Sequence, residues 1–118
     1  MNPLWFGDSF DIVKRFFIEN LNAIGYHVIV DPMLTGEWHE VEQFYKFLKA
    51  DPLSKESTSK SALLLDPDTG IGGKKSKRHV TIKCIAKQLL KYDVVFSFDQ
   101  SFTRGKNSKA EIAEKLKL

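Results

Sequence analysis

The sequence predicts a small three-layer α/β domain built on a mainly parallel sheet of three or more strands. Three observations lead there. Short β-rich or continuously apolar runs alternate with amphipathic stretches at helical spacing, the order that produces parallel strands joined by crossover helices. Each of the three runs ends in aspartate. Finally, 118 residues that are 42% hydrophobic and 12% aromatic suffice for one core and exclude a disordered chain.

The elements follow in order. Phe10, Val13, Phe16, Phe17, Leu21 and Ile24 recur at helical spacing, with Asp8 and Ser9 as N-cap candidates and Gly25 as a stop, so a helix is expected over 9–24 with that apolar stripe facing the core. Tyr26 to Val30 reads as a short strand closed by Asp31-Pro32. Trp38, Val41, Phe44, Tyr45 and Leu48 mark a second helix over 37–49, and Asp51 to Lys60 has a surface-loop composition. Ser61-Ala-Leu-Leu-Leu65 is the continuous apolar run of a strand buried on both faces, stopped by Asp66-Pro-Asp-Thr-Gly70. Ile71 to Arg78 is a glycine- and lysine-rich loop. Ile82, Ile85, Ala86 and Leu89 then predict a helix over 80–91, on which Cys84 reads as a core residue. Asp93 to Phe98 is the third strand, and Ser108 with Glu111 forms a capping box for a last helix over 109–118. No strand follows that helix. The expectation is one domain over 1–118, either shortened at its C-terminus relative to larger α/β domains or completed by homodimerisation.

Composition narrows the classes further. No apolar run approaches the roughly 18–20 residues of a membrane span, and the N-terminus has neither the basic nor the apolar region of a secretory signal. A single cysteine makes no internal disulfide, which points to a reducing, cytoplasmic setting. Three histidines without a Cys or His partner at ligand spacing exclude a structural zinc site. Gly70-Ile-Gly-Gly73 does not satisfy the dinucleotide fingerprint, and no P-loop is present. Charge is unevenly spread: residues 1–73 carry 6 basic and 11 acidic side chains, whereas residues 74–118 carry 12 and 4. The basic half admits an anionic partner.

Ligands of open α/β sheets bind outside the carboxyl ends of the strands. Parallel strands bring Asp31, Asp66, Asp68 and Asp99 to that edge. Clustered carboxylates repel unless a cation or a proton neutralises them. The expected site therefore has Asp66, Asp68 and Asp99 as catalytic groups and Asp31, Asp66 and Asp68 as ligands of Mg²⁺, the one cofactor the residues suggest, any other being left open. Lys75, Lys77 and Arg104 would engage phosphate, the division of labour used in phosphoryl transfer.

Phe6-Gly-Asp8, Asp11 and Lys14, then Leu65-Asp-Pro-Asp-Thr-Gly70, Lys75, Lys77-Arg-His-Val80 and Phe98-Asp-Gln-Ser-Phe-Thr-Arg104 resemble an uncharacterised prokaryotic and mobile-element family, over about residues 5–105. Its motifs are F-G-D-x-x-D-x-x-K and L-D-P-D-[NT]-G. The second occupies the place of the D-P-P-Y strand end of amino methyltransferases, which implies a Rossmann-like architecture. Asp68 stands where those enzymes have proline, and no glycine-rich loop for S-adenosylmethionine is present. A looser similarity is to the Toprim domain, whose D-P-D strand end binds Mg²⁺, although its first-strand glutamate is missing here. Three functions follow as expectations: action on nucleic acid or nucleotide phosphates by Mg²⁺-dependent phosphoester hydrolysis, a non-enzymatic protein- or nucleic-acid-binding module, and a degenerate methyltransferase-like binder of an adenosine ligand.

Overall fold

The computed structural model of the chain describes residues 1–57, 60–74, 76–100 and 107–117. A 3-10 turn (Pro3–Trp5) leads into α1 (Ser9–Ala23), β1 (His27–Asp31), α2 (Val41–Leu48), β2 (Asp51–Pro52), β3 (Ser61–Leu65), β4 (Gly70–Ile71), β5 (His79–Val80), α3 (Ile82–Gln88), β6 (Val94–Ser97) and α4 (Ser108–Leu116). Four strands form an all-parallel sheet in the order β2-β1-β3-β6, with His27 beside Ser61, Asp31 beside Leu65, and Leu65 beside Ser97. The expected α/β domain is thus present. Its main sheet has one strand more than the three apolar runs predict, because β2 is only Asp51-Pro52, and β4 pairs with β5 in a separate two-stranded ladder. A proline lacks the ladder donor and survives in a sheet at an edge, where β2 lies.

Alternation along the strands divides the core between two faces. Val28, Val30, Ala62 and Leu64 pack under Ile18 of α1 and Phe44 and Leu48 of α2. Ile29, Leu63 and Leu65 face the other way, against Val80, Ile85 of α3, Tyr92 and Val95. β3 is buried on both faces over all five residues, which is why its sequence is apolar without alternation. Phe6 anchors the N-terminal segment between Trp38 and Phe47, at ring separations of 5.3 and 5.8 Å. No helix among the described residues is long and apolar enough to cross a membrane.

Three sequence expectations are corrected. α1 does not bury its aromatic stripe: the buried positions are Asp11, Lys14 and Ile18, while Phe16 stays 61% and Phe17 47% exposed. The rotation follows from polar satisfaction, since Lys14, itself held by Asp11, is the partner of a carboxylate buried at the end of β3. Cys84 is exposed rather than in the core. The last helix is capped by Asn107, whose side chain accepts from the Lys109 N–H at 3.0 Å, and not by Ser108.

Gly70 closes the turn after β3. Its φ of +101° is left-handed, and a Cβ there would collide with the Asp99 side chain and with the Gln100 nitrogen at 2.6 Å. Only glycine lets the end of β3 lie this close to the end of β6.

Candidate functional site

The site starts at the first turn of α1. Asp8 is the N-cap, its Oδ1 accepting from the Asp11 N–H at 3.0 Å, while Asp11 Oδ2 accepts from the Gly7 N–H at 2.7 Å. This reciprocal arrangement satisfies helix-end donors and fixes the Asp11 carboxylate. One turn on, Lys14 Nζ donates to Asp11 Oδ1 at 2.8 Å and reaches both oxygens of Asp66, 2.9 Å from Oδ1 and 3.0 Å from Oδ2. All three residues are buried, Asp11 to 1%, Lys14 to 3% and Asp66 to 3% exposure. The Asp66 main chain is held as well: its N–H donates to the Asp31 carbonyl at 3.0 Å and its carbonyl accepts from the Met1 amine at 2.7 Å.

The charges in this triad constrain one another. Burial disfavours the Lys14 ammonium, but the Asp66 charge and the hydrogen bonds to Asp11 and Asp66 outweigh it, and the Lys14 pKa is raised. Burial pushes the Asp66 carboxyl up, against the opposing pull of Lys14. Repulsion from the neighbouring Asp11 charge adds to the upward push on Asp66, and the Met1 ammonium joins Lys14 in opposing it.

An open pocket of about 430 Å³ sits over the triad. One wall comes from the N-terminal segment and α1, with Trp5, Asp8 and Phe10; the other comes from the strand ends, with Pro67, Asp68, Arg78 and Gln100. Arg78 Nε lies 3.4 Å from Asp68 Oδ2. The place in the fold matters. From β1 the chain crosses to β2 on one side and returns to β3 on the other, so the gap between β1 and β3 is the switch point of the sheet, and the pocket opens beside it.

The sequence-predicted residues are distributed unevenly around this pocket. Asp66 and Asp68 line it. Asp99 turns instead to the Ile71 N–H at 3.0 Å and to Lys115 Nζ at 2.5 Å, pinning the β4 turn and α4. Asp31 Oδ1 accepts from the Met33 N–H at 3.0 Å, closing the turn after β1. Lys77 is exposed on the loop between β4 and β5. Lys75 and Arg104 lie outside the described residues. Among the described residues no group of three or more His, Cys, Asp or Glu side chains converges on a metal position. At Asp66 the place assigned to Mg²⁺ is held by the Lys14 ammonium, in contact with both carboxylate oxygens.

Asp11 and Lys14 stand at the base of the pocket without being among the site residues expected from the sequence. Their signal is in the sequence: F-G-D-x-x-D-x-x-K spaces Asp8, Asp11 and Lys14 by three, which stacks them along one helix edge. The aromatic stripe beside them carries the stronger periodicity and masks it. The two short motifs, residues 6–14 and 65–70, form the two sides of the triad. No family model, curated protein or solved structure matches this chain.

Proposed function

We propose that this protein binds a nucleoside monophosphate unit in the pocket at the carboxyl edge of its sheet. The observation that carries the reading is that one pocket at the switch point joins aromatic rings, Trp5 and Phe10, to an arginine, Arg78, above a fixed ammonium, Lys14. An aromatic face stacks on a base. A guanidinium forms paired hydrogen bonds to phosphate. Asp8 and Asp68 accept hydrogen bonds from sugar hydroxyls or a base edge, and their negative charge favours one phosphate over a polyphosphate chain. Asp68, not Asp66, is the carboxylate open to a Mg²⁺ ion carried in on the phosphate, because both Asp66 oxygens already accept from Lys14. Phosphoester hydrolysis at this site would run through that position.

Thermal unfolding with adenosine monophosphate, adenosine and S-adenosylmethionine tests the reading. A ligand at about 100 times its Kd stabilises by about 2.7 kcal/mol. Adenosine monophosphate is expected to raise the midpoint, adenosine to do so much less, and Arg78→Ala to remove the difference. Equal stabilisation by adenosine or S-adenosylmethionine, or an unaltered response in Arg78→Ala, would overturn phosphate recognition.

A further inference from the structure

Residues 69–92 contain seven lysines and arginines and no aspartate or glutamate. Some surface cations stand beside carboxylates, Arg15 and Lys49 on Glu19 and Lys117 on Glu114, whereas Lys46, Lys60, Lys74, Lys77 and Lys109 form no ion pair among the described residues. Lys83, Lys87 and Lys91 belong to the second group and, unlike the others, follow one another in a row. They are exposed at i, i+4 and i+8 along α3 and the turn that follows it, and no carboxylate among the described residues forms an ion pair with them. Like charges at this spacing repel, so the stripe weakens its own helix. The opposite side of α3 is committed to the core through Ile85. The stripe is therefore a directed surface, about 6 Å long between Lys83 and Lys87 from the 1.5 Å rise per residue and continued by Lys91 in the turn beyond. Its upstream end follows the pocket closely along the chain: Arg78 lines the pocket and lies three residues before Thr81, the N-cap of α3.

We infer that the lysine stripe of α3 continues the pocket as a track for single-stranded nucleic acid. The inference rests on the nucleotide reading above and deepens it: the phosphate held at Arg78 belongs to a strand whose neighbouring phosphates run along Lys83, Lys87 and Lys91. A row of lysines without carboxylates neutralises a backbone and releases its counterions. The aromatic rings at one end choose a single strand over a duplex, because only unpaired bases offer their faces for stacking. Trp5 is 64% and Phe10 46% exposed, open enough to receive one.

The test is fluorescence anisotropy with a 3′-labelled oligothymidylate of about ten nucleotides, within the length that single-strand sites cover. Each phosphate contact adds about 0.7 to the salt slope and roughly fivefold affinity at about 0.1 M salt. The triple variant Lys83→Gln, Lys87→Gln, Lys91→Gln, checked for folding by circular dichroism, is expected to lower the slope by about 2 and to weaken binding about a hundredfold. Its thermal shift with adenosine monophosphate is expected to stay that of the wild type. Cys84, the sole cysteine, is exposed next to this stripe, so alkylation by iodoacetamide is expected to slow with the oligonucleotide and not with adenosine monophosphate. Wild-type affinity in the triple variant, salt-independent binding, tighter binding of a duplex of the same length, or displacement by an equal concentration of polyglutamate would each overturn the track. Loss of the adenosine monophosphate shift in Arg78→Ala tests the pocket alone, so the two readings fail separately.

Discussion

Lys14→Met separates a structural account of the buried triad from any other. In the wild type the ammonium lies 2.8 to 3.0 Å from its carboxylate oxygens. At an effective dielectric of about 20, each such pair is worth about 6 kcal/mol of Coulomb attraction, offset by several kcal/mol of desolvation per ion. Methionine keeps most of the volume but leaves Asp11 and Asp66 buried without their cation. Breaking a buried ion pair in this way costs about 3–5 kcal/mol. A domain of this size is stable by roughly 6–18 kcal/mol, so the variant loses a large share, and its melting midpoint falls by roughly 10–20 °C. The loss depends on pH in a defined direction. Burial already raises the Asp66 pKa from its ordinary value of 3.8, and removing Lys14 raises it further. A carboxyl with a raised folded pKa contributes most below its unfolded value and loses that contribution as pH rises through the folded one. Urea unfolding should therefore show the variant closest to the wild type at about pH 4 and furthest from it at about pH 7. The combined variant Asp11→Asn, Lys14→Met, Asp66→Asn removes the orphaned charges and should recover most of the stability at neutral pH. A Lys14→Met deficit below about 1 kcal/mol at neutral pH, or one equal at both pH values, would refute the reasoning.

Other expectations follow from the same geometry. Gly70→Ala forces a Cβ onto Asp99 and the Gln100 nitrogen at positive φ, so chemical denaturation should show a loss above about 1 kcal/mol, well beyond an ordinary surface glycine. Asp8→Ala removes the side-chain acceptor of the Asp11 N–H and should cost about 1 kcal/mol; an unchanged midpoint would mean that the cap is redundant. Because the Lys14 pKa is raised above 10.5, its contribution is complete below that value and lost as pH rises through the higher folded pKa. The wild type should thus lose stability in strong alkali more steeply than Lys14→Met, as denaturation at stepped pH would show.

The alternation of elements, the doubly buried β3 and the carboxylates at strand ends are local facts of the chain. A run such as Ser61–Leu65 has few alternatives to a buried strand, and a proline just after it ends the ladder. Asp66 and Asp68 were legible for that reason. Other features depended on partners far away in sequence. Which face of α1 turns inward was decided by Asp66, 52 residues from Lys14, because a buried carboxylate needs its cation more than the three exposed phenylalanines of α1 need the core. Asp99 looked equivalent to Asp66 by sequence, yet the close approach at Gly70 turns it to the Ile71 N–H and away from the pocket. By itself, then, the sequence determined the α/β class, the buried central strand and the strand end that lines the pocket. Only the tertiary structure decided that Asp11 and Lys14 join Asp66 there, with the Lys14 ammonium against both Asp66 oxygens. Periodicity records which residues share a face, whereas the pairing of charges depends on distances between elements that no local pattern contains.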